Sequence, residues 1–240
     1  MLHIEKGSAS FDQGLSSYWG LYRNLQEQLL DMAFDIEFSE ANFSVFSAKF
    51  LMLLETICGE VESVMKSLVG LTKEGAGLDI PKLHFGDCWY YIQDKFYFHP
   101  QWIFHKDEQG NEHLVKGKPL EKARVMFMGV IPIQPFAHFK VVSGIGDYNE
   151  RYYMPAKGCS LPDWWDAHNT LKHRRISIDD QGKITSNFAM ANLKHTIGAF
   201  AGLYVLLRCF LENIGDLDDL KSFVDTDRLF KGRQLNLKDL

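Results

Sequence analysis

Residues 164–175, Trp-Trp-Asp-Ala-His-Asn-Thr-Leu-Lys-His-Arg-Arg, concentrate side chains able to do chemistry. An imidazole exchanges a proton near neutral pH, and a guanidinium offers a planar fork to phosphate oxygens. At about 100° per residue, His168 and Lys172 share one face of a helix, while Asn169 and His173 share the adjacent one. Two imidazoles, a carboxamide and the cations Lys172, Arg174 and Arg175 therefore predict a polar groove that binds phosphate. The competing reading is a helix C-terminus, where the dipole favours those same cations. Lys194 and His195 join this set if neighbouring antiparallel helices bring their ends together; otherwise they form a solvated first-turn pair.

Three segments must position these groups. Residues 1–75 read helical: a helix near 16–34, then a longer one over 42–69 whose apolar residues recur at threes and fours, with Ser39 as its N-cap. Residues 76–160 change texture, holding six of the seven prolines. They predict an irregular insertion with a small antiparallel sheet, a hairpin across the polar run 107–112, a strand-like run at 125–133 and a helix near 87–97. Residues 161–240 return to helix. Pro162 suits a first helical turn, 176–183 reads as a turn between helices, and Ser186 caps a long helix over 187–213 ended by Gly215. The fold class is thus mainly α: an antiparallel helical bundle, one compact domain, interrupted by an irregular segment. Gly198 and Gly202, four apart, predict a close helix crossing, and of the adjacent Trp164 and Trp165 one should anchor the core while the other stays half-exposed.

Composition narrows the function classes. The 240 residues carry 26 Lys and Arg against 31 Asp and Glu, a net −5 that excludes a strongly basic nucleic-acid coat but not a local basic patch. The longest apolar run, residues 197–207, is too short to span a bilayer and predicts a buried helix, so no membrane association is expected. Four scattered cysteines and no signal-peptide layout predict free thiols in the cytoplasm. His84, His99, His105, His113 and His138 lack the tight spacing or cysteine partners of a zinc site, so neither metal nor cofactor is implied. The 144–146 Gly-Ile-Gly run reads as a turn rather than a nucleotide loop, and nothing in the sequence marks Cys159 as a nucleophile.

The hexapeptide His168-Asn169-Thr170-Leu171-Lys172-His173 resembles the Arg-Asn-x-x-x-His signature of HEPN domains (higher eukaryote and prokaryote nucleotide-binding), small helical bundles of prokaryotic defence and toxin systems. The helices at 42–69 and 187–213 match that layout, so the resemblance covers about half the chain and leaves 76–160 aside. It implies a bacterial defence or stress protein, a homodimer acting on RNA, and a metal-independent endoribonuclease. In that reading His173 assists attack of a ribose 2′-OH on the adjacent phosphate, Asn169 orients His173, and Lys172, Arg174 and Arg175 hold phosphate. His168 stands where the family's ribonucleases have arginine. Either Lys172 or Arg174 substitutes for it, or His168 serves as a second acid–base group. His168 and His173 are about 140° apart around an ideal helix, so they converge only if the helix bends or a second subunit completes the site. The alternative is a non-enzymatic regulatory protein of the same bundle type, with 76–160 as the surface for a protein partner.

Overall fold

A computed structural model describes residues 9–99, 104–106, 112–114, 117–141, 160–178, 180–214 and 227–230. The Gly-Ile-Gly run at 144–146, Cys159 and Gly215 lie outside the described residues.

The architecture is mainly α with small two-stranded antiparallel ladders, as the patterning predicts. Helix α1 spans Ala9–Met32 and α2 spans Ala48–Gly70. Phe50, Leu53, Leu54, Ile57, Val61, Val64, Met65 and Leu68 of α2 are buried, a stripe at three and four that faces the core. Its cap is Ser47, not Ser39: the Ser47 hydroxyl accepts a 3.1 Å bond from the Phe50 N–H. Ser39 instead precedes a short 3-10 turn, Glu40–Asn42. The helix starts late because 43–47 is committed elsewhere. Phe46 bridges to Asn192, Leu193 N–H donates to the Val45 carbonyl at 2.9 Å, and Ser47 N–H donates to the Ala191 carbonyl at 3.3 Å.

Those bonds tie the start of α2 to the start of α5, Leu193–Ile214. At the other end, the Tyr18 hydroxyl bonds Ser63 and Ser67 of α2 while its ring lies edge-on to Phe210 of α5. Helices α2 and α5 therefore run side by side in the same direction, and α1 lies antiparallel to both. The long excursion between α2 and α5 makes this possible, because it returns the chain to the end from which α2 began. Helix α5 is long and apolar enough to cross a membrane by length and composition, yet 83% of its apolar window is buried inside the protein. It is the central core helix.

The insertion contributes α3, Phe85–Ile92, and six short strands: β1 Tyr97–Phe98, β2 Phe104–Lys106, β3 Glu112–Leu114, β4 Lys118–Pro119, β5 Val125–Phe127 and β6 Ile131–Ile133. They pair antiparallel as β1 with β4, β2 with β3, and β5 with β6. The run at 125–133 is thus a hairpin, not one strand. Helix α4, Asp163–His173, follows. The segment expected to be a plain turn then folds into a further hairpin, β7 Ile176–Ile178 and β8 Ile184–Ser186, closed by Gly182 at φ +77°. Only glycine adopts that backbone without strain.

Helix α4 is wedged between other elements. Trp164 and Trp165 are both buried, at 3% and 7% exposure, contrary to the expectation of one half-exposed ring. The two point in different directions, as helix geometry requires, but each direction is covered. A Cβ on Gly198 would lie 3.1 Å from the Trp164 ring, and one on Gly202 would lie 3.0 Å from it, so the two glycines of α5 do admit a close approach. Trp165 stacks on Phe85 of α3 with ring centroids 3.9 Å apart.

Candidate functional site

Helix α4 carries the signature, and burial sorts its residues. His168 is buried, at 8% exposure, against the Trp165 ring with centroids 5.2 Å apart. Its Nδ1 has no hydrogen-bond partner among the described residues. Burial, and next the neighbouring Lys172 charge, lower its pKa from the ordinary 6.5, against a weaker opposing pull from Glu55 and Glu62 of α2. A histidine sealed on one nitrogen and disfavoured as a cation is a poor replacement for a charge-stabilising arginine. Asn169 is half-buried, and Lys172, His173 and Arg174 are exposed in and just beyond the last helical turn. Among the described residues, Lys172, His173 and Arg174 form no ion pair and no side-chain hydrogen bond is formed by Asn169.

Arg175 is committed elsewhere. Its Nη2 lies 2.6 Å from Glu55 Oε1 of α2, and its Nε donates to the Leu171 carbonyl at 3.2 Å. The Arg174 carbonyl accepts from the Asn187 amide, which fastens the end of α4 to the residue following β8. Nothing in the sequence marks Glu55 as the partner of Arg175, because the pair is 120 positions apart.

Lys194 and His195 sit at the opposite end of α4. Lys194 Nζ is 3.1 Å from Asp163 Oδ2, at the first residue of α4, whereas His173 is its last. Ten residues at 1.5 Å put those ends roughly 15 Å apart. Both Lys194 and His195 line a cleft of about 330 Å³ with Glu40, His138, Asp163 and Trp164; His168, Asn169, Lys172 and His173 do not line it. His195 Nδ1 lies 2.8 Å from the Met190 carbonyl. A carbonyl only accepts, so Nδ1 carries the proton. Burial, as the largest cause, lowers the pKa of His195. The signature residues and the 194–195 pair thus belong to two separate places. Among the described residues, no group of three or more His, Cys, Asp or Glu side chains has metal-binding geometry.

The two lowered histidines imply a pH dependence. The unfolded chain takes up protons at an ordinary histidine value near 6.5 before the folded protein does, so this contribution to stability is complete above that pH and is lost as pH falls through the depressed folded values. Buried Asp227 is shifted the other way, chiefly by desolvation, so its contribution is complete below its unfolded value of 3.8 and is lost as pH rises through the folded one. The two histidines thus act to lower the urea midpoint at about pH 5.5 relative to about pH 7.5, with Asp227 acting in the opposite sense. The double variant His168→Gln, His195→Gln should flatten the difference, and an unchanged slope would remove the assignment.

No family model, no curated protein and no solved structure matches the chain.

Proposed function

We propose that this is a HEPN-like protein directed at RNA in bacterial defence or stress response, with the C-terminal turn of α4 engaging the phosphate backbone. One observation supports this reading above the others: Lys172, His173 and Arg174 are exposed and without an ion pair among the described residues, whereas Arg175 and Lys194 are both paired. Cations held off their own carboxylates remain available to an external anion, and a helix C-terminus tolerates them well. Asn169, one turn before His173, adds a donor and an acceptor on the same side.

The chemistry within this reading is metal-independent transesterification. His173 accepts the ribose 2′-OH proton while the O2′–P bond forms and the P–O5′ bond breaks; the leaving O5′ takes a proton from solvent, and a 2′,3′-cyclic phosphate and a 5′-hydroxyl result. Lys172 and Arg174 steady the phosphate oxygens. His168, sealed at Nδ1, holds the helix in place rather than acting as the second acid–base group. Residues 76–160 serve the core in the parts described, through α3 and β5. The non-enzymatic reading gains support from the apolar surface of the β7–β8 hairpin, and it predicts binding without turnover.

The test is a fluorescence-anisotropy titration of single-stranded RNA, with product analysis in excess EDTA. Lys172→Glu with Arg174→Glu should weaken binding by about tenfold or more, and neutralising either cation should reduce the salt slope by about 0.7. His173→Ala should abolish cleavage with binding retained. Binding that ignores the charge reversal would overturn the proposed surface, and cleavage undiminished in His173→Ala would overturn the catalytic assignment.

A further inference from the structure

The cleft lined by Lys194 and His195 is separate from the α4 signature and has a chemistry of its own. Its apolar lining includes Ile133, Trp164, Ile197 and the half-buried Phe43. Two acceptors stand against that surface without a protein donor. The His195 ring is fixed by the bond from Nδ1–H to the Met190 carbonyl at 2.8 Å, so Nε2 carries a lone pair and no proton. The ring is half-buried, and Nε2 has no hydrogen-bond partner among the described residues. Glu40, exposed in the 3-10 turn ahead of α2, also lines the cleft and forms no ion pair among the described residues. His138 lines it at φ +61°, a left-handed conformation rare outside glycine and typical of ligand clamps.

The charges decide what such a cleft takes. Lys194 is its only lysine or arginine among the described residues, and Asp163 neutralises it at 3.1 Å. An anion therefore meets no uncommitted cation, and the helix ends supply none. The first N–H groups of α5 are spent on the carbonyls of Val45 and Phe43, at 2.9 and 3.2 Å, and the His195 N–H on Asn192 Oδ1 at 3.0 Å. Asp163 and Asp166 occupy the first turn of α4 and offset its dipole. A cation meets the opposite situation: an unpaired carboxylate, an imidazole restricted to accepting, and an aromatic ring of the kind that attracts an ammonium group. A volume of about 330 Å³ lies at the small end of ligand pockets, which suits a compact molecule with an apolar body.

We propose that this cleft binds a small organic cation, an ammonium group on an apolar body, with Glu40 as its counter-charge and His195 Nε2 accepting one ammonium N–H. The proposal does not rest on the RNA reading, because Lys172 and His173 do not line the cleft. The probes are phenethylammonium, phenethyl alcohol and hydrocinnamate, which share a phenyl ring on a short chain and differ in charge. Titrated calorimetrically into the full chain at low ionic strength and near neutral pH, the ammonium should bind with a dissociation constant below about 1 mM. The alcohol should bind more weakly, and the carboxylate most weakly of the three. Amide NMR shifts should move at Ala137, Ile197 and Gly198, which line the cleft, and stay in place at Lys172 and His173. Glu40→Gln, on an exposed position, should weaken the ammonium about three- to fivefold and leave the alcohol unchanged. His195→Phe should weaken both about threefold, because each donor loses the same acceptor. Four results would overturn the proposal: no saturable ammonium binding up to about 10 mM, hydrocinnamate bound as tightly as the ammonium, shifts centred away from the cleft, or an ammonium affinity indifferent to Glu40→Gln.

Discussion

Arg208→Met should lower the unfolding free energy by about 3–5 kcal/mol, read as a shift of the urea transition at constant slope. Arg208 is 4% exposed and lies in the apolar central helix. Its Nη2 donates to the His99 carbonyl at 2.6 Å and lies 3.4 Å from Glu212 Oε1, and its guanidinium sits 5.1 Å from the centroid of the Phe98 ring. Glu212, with a side chain 4% exposed, also bonds His99 Nδ1 at 2.7 Å. Methionine fills most of the volume but leaves the Glu212 carboxylate in low dielectric with one fewer counter-charge, and that uncompensated burial dominates the loss. The double variant Arg208→Met, Glu212→Gln should recover a substantial part, because it removes the stranded charge together with its partner. A single variant costing less than about 1 kcal/mol, or a double variant no better than the single one, would show that the cluster is not an electrostatic unit.

This cluster also shows where sequence reasoning stops. The α2 stripe was legible because its signal is local: each apolar residue predicts the next, three or four positions on. Arg208 closes an eleven-residue apolar run, and its main partner, His99, lies 109 positions away, so nothing nearby reveals that a cation is buried. The late start of α2 has the same origin. Phe43 and Phe46 continue the helical periodicity, but Phe43 closes the 3-10 turn at Glu40–Asn42 and Phe46 bridges to Asn192, so α2 begins only beyond them. The candidate site divides along similar lines. The spacing placed Asn169 and His173 on one side of α4 and put Lys172 and Arg174 beside them, and both features depend on helix geometry alone. The burial of His168 and the commitment of Arg175 depend on α2 and α3, which packing brings in from far along the chain. The β7–β8 hairpin was legible in principle, since Ile-Ser-Ile and Ile-Thr-Ser flank a Gln-Gly turn. Three-residue strands give too short an alternation to stand out beside the Asp-Asp-Gln-Gly run, which reads as a turn between two helices.

Trp164→Ala is the second large effect, and it tests whether α4 is held from its N-terminal end. Trp164 fills the gap over Gly198 and Gly202 and donates Nε1–H to the Pro135 carbonyl at 2.7 Å. Deleting the indole should cost about 3–5 kcal/mol through lost burial and the cavity left behind, with the buried carbonyl of Pro135 adding to it. Trp164→Phe keeps most of the volume and loses the bond, so it should cost about 1–3 kcal/mol. The glycines supply an internal control. In the wild type, Gly202→Ala forces its new Cβ to 3.0 Å from the indole, so the ring must shift. In the Trp164→Ala background the same methyl enters the cavity, and its effect should reverse to mildly stabilising. That sign change cannot arise from helix propensity, which favours alanine equally in both backgrounds. Equal effects of Gly202→Ala in the two backgrounds would mean that the crossing is not set by this contact. The same variants separate stability from function, because the cations at the far end of α4 are untouched. Trp164→Phe, measured where it remains folded, should bind RNA as the wild type does, whereas Lys172→Glu with Arg174→Glu should weaken binding about tenfold or more at a stability cost of no more than about 1–2 kcal/mol.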